Sequence, residues 1–130
     1  MSEIIVDTSV WIEFFRGKEL PLLESALKEG RVLLTPIVLA ELMSGVRTEN
    51  EKEKLKSFLF QLEVAPHDRD HWLQVGLLRA KASKKGISLS TPDAHVAQCV
   101  IDCEGLLYSF DKIFGKLAKL ISLKIVSSAE

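Results

Sequence analysis

Short apolar runs recur along this chain, and nearly every one is followed by a helix-start signal or a segment with helical spacing. That alternation constrains the fold more than any other feature, because strands joined by helical crossovers pair in parallel and need cover on both faces. Residues 3–6 read as a buried strand, followed at once by Asp7 and a helix over 8–16 that ends near Gly17. Pro21 suits the first turn of a helix over 20–29, which Gly30 terminates. Residues 31–34 form a second strand. Thr35-Pro36 then supplies a hydroxyl cap and a proline whose missing N–H costs nothing, starting a helix that runs to about Gly45.

The second half continues the pattern. Residues 50–62 are amphipathic, with Leu55, Phe58, Leu59 and Leu62 on one side and Glu53, Lys54, Lys56 and Ser57 facing water. A short strand is expected at 64–65, then a helix over 69–85 with Trp72, Val75, Leu78 and Ala82 inward and Gly86 closing it. Residues 87–90 are extended. Thr91-Pro92 repeats the Thr35-Pro36 start, and that helix runs through Cys103 to Gly105. A strand at 106–109, a helix over 112–121 and a last strand at 123–126 complete the chain. We expect one α/β domain over 1–130, a three-layer α/β/α sandwich with a mainly parallel central sheet.

Composition narrows the setting. Cys99 and Cys103 are four apart, so they share a helix face as buried thiols, and no Cys-x-x-Cys pair suggests zinc or redox chemistry. The N-terminus lacks the basic-then-apolar order of a signal peptide, and no apolar run approaches the ~20 residues that span a bilayer. A cytoplasmic protein without membrane partners is the expectation. The net charge of −1 gives no general attraction for a polyanion. Cations held by carboxylates would reverse that field locally.

Ligands in open parallel sheets collect beyond the carboxyl ends of the strands. Asp7 directly follows the first strand, Asp93 lies in the first turn after 87–90, and Asp111 comes two residues after 106–109. Glu41 stands in the second turn of the helix after 31–34. Asp7, Asp93 and Asp111 each have a plain alternative as helix-start acids favoured by capping and the helix dipole. Glu41 is the one polar side chain between Pro36 and Met43, and an ionised carboxylate among apolar neighbours is costly without a cation; the alternative is a helix end dipping to the surface. Four acids meeting at one edge would repel strongly, and oxygen-only ligands favour Mg²⁺ or Mn²⁺ over zinc. Such ions suit phosphodiester hydrolysis.

The segments carrying these acids resemble the motifs of PIN domains. Ile-Ile-Val-Asp-Thr-Ser-Val-Trp-Ile is similar to the opening strand and motif, and Pro-Ile-Val-Leu-Ala-Glu-Leu to the second. Thr-Pro-Asp-Ala-His-Val-Ala resembles the third, and Leu-Leu-Tyr-Ser-Phe-Asp-Lys-Ile-Phe the fourth. Order and spacing match over nearly the whole chain, and its length is typical of VapC toxins. The resemblance implies a metal-dependent endoribonuclease, the toxin of a type II toxin–antitoxin pair, with Asp7, Glu41, Asp93 and Asp111 binding Mg²⁺ or Mn²⁺. It also implies that Thr8, Ser9 and Ser109 support the site, and that partners are RNA, an antitoxin protein and a second copy of the chain. His95 and Gln98 depart from the apolar residues common there. His95 is read either as a half-exposed helix residue or as a phosphate contact.

Other features have two readings each. His67 and His71 are four apart, but residue 68 is aspartate and no third ligand is evident, so the segment reads as a polar helix start. Lys112, Lys116 and Lys119 recur at helical spacing after Asp111; with Arg47 they are either RNA contacts or a solvated face. Trp11, Phe14, Phe15 and Leu20-Pro21-Leu22-Leu23 are core, with part of that surface available as an interface. Two other functions compete: a PIN-like binding module without chemistry, and a receiver-like phosphoacceptor domain. The latter would need an acid pair after the first strand, where residue 8 is threonine.

Overall fold

In the computed structural model, which describes residues 2–126, Ile4–Val6 forms a strand (β1) with no face open to solvent. Successive side chains on a strand point to opposite faces, so three buried residues in a row mean cover on both sides of the sheet. Helix α1 (Thr8–Phe15) and α2 (Pro21–Lys28) lead to β2 (Val32–Leu34), also buried throughout. Then follow α3 (Pro36–Ser44), α4 (Glu49–Leu59), β3 (Glu63–Val64), α5 (Arg69–Lys84), α6 (Thr91–Cys103), β4 (Leu106–Tyr108) and α7 (Ile113–Leu117).

The sheet runs β3-β2-β1-β4 and every pairing in it is parallel. Ile4 lies between Val32 and Leu106, and Ile5 between Leu33 and Leu107. All four strands therefore end on one edge, with β1 near its middle. Trp11, Leu20, Leu23, Leu59, Phe114 and Leu117 are fully buried and carry the helical layers onto the strands. Among the described residues no helix is long and apolar enough to cross a membrane.

Several expectations are corrected. Ser90, not Thr91, caps α6: its hydroxyl accepts from the Asp93 N–H at 3.1 Å, and Thr91 is already helical. Residues 87–90 join no strand, because Ser90 is committed to that cap and the Leu89 carbonyl accepts from Arg79 Nε at 2.8 Å. The helix expected at 112–121 shortens to α7. The strand expected at 123–126 is one bridge, Ile125 to Leu107. On α5 the buried stripe is His71, Val75, Leu78 and Ala82; Trp72 lies one step round the helix and is 43% exposed. Cys99 is buried, whereas Cys103 is only partly so.

Candidate active site

Asp7 occupies the cap position of α1 with an extended backbone, yet its side chain makes no capping bond. Instead its Oδ2 accepts from Ser9 Oγ at 2.9 Å and from Ser109 Oγ at 2.8 Å. Its N–H donates to the Tyr108 carbonyl, fixing the end of β1 against the end of β4. The two serines are themselves oriented by backbone: Ser9 Oγ accepts from Phe110 N–H at 3.1 Å, and Ser109 Oγ from Asp111 N–H at 3.0 Å. Asp7 is thus held rigidly in a largely buried position, 7% exposed.

The other three acids come from three further segments. Glu41 Oε1 accepts from Thr8 Oγ1 at 2.8 Å, which ties α3 to the start of α1. Glu41 is exposed, contrary to the costly apolar setting inferred from its neighbours; Val38 and Leu42 take the buried face of α3 and leave Glu41 at the mouth. Asp111 Oδ1 accepts from Ile113 N–H at 3.1 Å, and Asp111 stands one residue before the cap position of α7, which is Lys112. Asp93 lies in the first turn of α6. Burial pushes its carboxyl above the ordinary carboxylate range, and the charges of Asp111, Asp7 and Glu41 push the same way, while its bond with Ser90 opposes them. All three other acids therefore act on Asp93 electrostatically, and the quartet shares one edge.

A family model described as PIN domain matches residues 4–120. The chain belongs to the PIN-domain family. Solved structures share the PIN fold of this chain over nearly its full length. DNA-bound VapBC from Salmonella typhimurium has a TM-score of 0.79 at 21% identity, covering 97% of this chain and 98% of that one. A toxin–antitoxin complex from Klebsiella pneumoniae gives 0.74 at 18%, covering 98% and 99%. VapBC-5 from Mycobacterium tuberculosis, a member of the VapBC family of toxin–antitoxin systems, gives 0.71 at 23%, covering 97% and 98%. No curated protein matches the chain in sequence. With the family assigned, the receiver-like alternative falls away.

Elsewhere on this PIN domain, Lys112, Lys116 and Lys119 are exposed beside Asp111, and Lys119 falls beyond the end of α7. Arg47 is exposed past α3, its N–H donating to Glu51 Oε2 at 2.9 Å. Trp11 is core, but Phe15 is 43% exposed. Phe15 borders an apolar groove of about 640 Å³ with Ile12, Leu42, Val46, Leu55 and Phe58.

Neither reading of His95 holds. It is fully buried, and its Nδ1 shares a hydrogen bond with His71 Nε2 at 2.8 Å. The polar-helix-start reading of 67–71 is half right. Asp68 does cap α5, accepting from His71 N–H at 3.0 Å, but His71 turns inward and its Nδ1 donates to Asp102 Oδ2 at 2.6 Å.

Proposed function

We propose that this PIN domain is a metal-dependent endoribonuclease of the VapC toxin type, and that Asp7, Glu41, Asp93 and Asp111 hold Mg²⁺ or Mn²⁺. The observation that carries the reading is the Asp93 carboxyl, raised first by burial and then by the charges of Asp111, Asp7 and Glu41. A divalent cation would offset the negative charge that these acids place around Asp93. The all-oxygen donor set, without sulfur or imidazole, fits a hard ion. Such an ion, when bound, lowers the pKa of water and offsets charge gathering on the phosphoryl oxygens.

The chain's own residues prepare that site. Ser9 and Ser109 both bond Asp7 Oδ2, fixing the orientation of that carboxylate before any ligand arrives. Thr8 does the same for Glu41. Preorganised acids lose little freedom on binding an ion, which raises affinity and fixes the position of the scissile phosphate. Lys112 and Lys116, with Arg47, are the cations we assign to flanking RNA phosphates.

The groove beside Phe15 has the shape and polarity for an apolar helical segment, and we assign it to an antitoxin, the partner present in the toxin–antitoxin complex this fold resembles. The test of the activity is cleavage of a labelled RNA across a Mn²⁺ titration. Wild type should cut in proportion to occupied metal, and Asp7→Asn should lose at least roughly 10³-fold in rate while keeping its far-UV circular dichroism. RNA binding without Mn²⁺-dependent cutting would instead identify the chain as a binding module.

A further inference from the structure

We propose that His67, His71, His95 and Cys99 form a second metal site, a closed four-ligand site for Zn²⁺ that ties the start of α5 to α6. One ring nitrogen from each histidine and the Cys99 sulfur all lie within 4.8 Å of one another. Around tetrahedral Zn²⁺, with Zn–N near 2.0 Å and Zn–S near 2.3 Å, ligand atoms stand about 3.3–3.6 Å apart. Cys99 Sγ is already 3.7 Å from His95 Nε2 and 3.9 Å from His67 Nε2. Closing the remaining edges needs side-chain shifts of about 1 Å.

The surroundings match a metal site and are costly as packing. The three imidazole centroids are 4.4, 4.7 and 4.9 Å apart, and the Nδ1 of His67 is buried without a partner. Polar rings packed this densely and incompletely satisfied are a poor core, whereas a cation would take one nitrogen from each ring. Asp102 takes the Nδ1–H of His71 and is itself bonded by Gln98 Nε2 at 2.9 Å. That carboxylate fixes the tautomer with Nε2 inward, the outer support usual for a metal-binding histidine. Trp72 lies flat on His95, 4.8 Å between centroids and 8° between planes, and shields the cluster. An acidic surface cavity of about 310 Å³, bordered by Asp68, Asp70 and Asp102, opens beside His67 and His71 as a path for a cation.

Sulfur and imidazole select zinc over Mg²⁺, so the site is chemically distinct from the acidic edge. It is also separate in space. His95, Cys99 and Asp102 recur at four and three residues along one face of α6, while Asp93, two residues before His95, points roughly 200° away. With four protein ligands the site has no open position, so its role is structural: it clamps α5 against α6 and holds the turn that presents Asp93. Binding releases the Cys99 proton to solvent and turns the His71 Nε2 lone pair from its hydrogen bond with His95 Nδ1 to the metal; no electron is exchanged.

The test uses the full chain, stripped with chelator and titrated with Co²⁺, followed by Zn²⁺. One equivalent of Co²⁺ should produce the visible bands of tetrahedral coordination and a thiolate charge-transfer band, both removed by Zn²⁺. Cys99→Ser should abolish the charge-transfer band, Asp102→Asn should weaken Co²⁺ binding about 10-fold, and Asp7→Asn with Glu41→Gln should leave the spectrum intact. Absence of a tetrahedral spectrum in the wild-type protein would overturn the site, with no variant needed. A spectrum retained by Cys99→Ser, or lost in the acidic-edge double variant, would also overturn it.

Discussion

The Asp93 carboxyl sits above its ordinary range, first through burial and then through Asp111, Asp7 and Glu41. A native state that holds this proton more tightly than the unfolded chain is penalised when the group ionises. The penalty is absent below the ordinary value of 3.8, grows as pH rises from there toward the shifted one, and is complete above it. Asp93→Asn removes the charge, so the metal-free variant should be more stable than wild type at pH 7. Because Asp93 is only half-buried, solvent screening keeps that gain small. It should shrink to nothing as pH falls toward 3.8. Mn²⁺ should raise the wild-type Tm and leave that of Asp93→Asn nearly unmoved. Thermal unfolding by circular dichroism reads all three, and a less stable metal-free variant at pH 7 would contradict the repulsion argument.

The same residues show what a sequence reveals about a site. Asp7, Asp93 and Asp111 could be found because strand ends and helix starts are local signals, and the topology then does the gathering. Glu41 was reached by a flawed route: apolar neighbours in sequence suggested a dry setting, but the helix turns those neighbours inward and Glu41 outward. His71 and His95 are 24 residues apart and meet only because α5 packs on α6. No spacing within one segment encodes that meeting, so the 67–71 pair seemed to lack further ligands.

At the scale of elements, the junction between α6 and β4 is tightly packed against the start of β1. Glu104 takes the left-handed conformation at φ 53°, and Gly105 follows with its N–H on the Val100 carbonyl. Leu106 N–H then donates to Glu3 O at 2.9 Å, entering the sheet beside β1. A Cβ on Gly105 would stand 2.5 Å from that same Glu3 oxygen and 2.9 Å from Cys103 Sγ. The backbone oxygen cannot yield without disturbing the pairing, so Gly105→Ala should cost about 1–3 kcal/mol. Urea denaturation should show a lower midpoint with an unchanged slope; a wild-type midpoint would mean the junction relaxes freely. Helix starts such as Thr35-Pro36 were legible because capping is chemistry between neighbours. Element ends were not. Strand pairing at 123–126 and helix length at 112–121 depend on contacts with β4 and the core, and Ser90 and Thr91 offered two equivalent hydroxyls of which the fold uses one.

For the whole molecule the proposed activity asks how a chain of net charge −1, with four acids on one edge, would attract RNA. Ions held by the acids reverse the field at the centre but not beyond roughly 8–10 Å in physiological salt. Contacts farther along a strand need side-chain cations, and Lys112 and Lys116, both exposed, follow Asp111 closely in the chain. Each phosphate neutralised on single-stranded RNA contributes about −0.7 to the slope of log affinity against log salt. Lys112→Ala with Lys116→Ala, made on the Asp7→Asn background so that RNA stays intact, should therefore flatten the slope by about 1.4. Affinity should fall most at low salt, whatever the RNA sequence, because phosphate contacts carry no base information. Filter binding across a salt series reads the slope directly. If it does not change, the two lysines are solvated surface, and Arg47 with Lys119 become the cations left to carry the strand beyond the acidic edge.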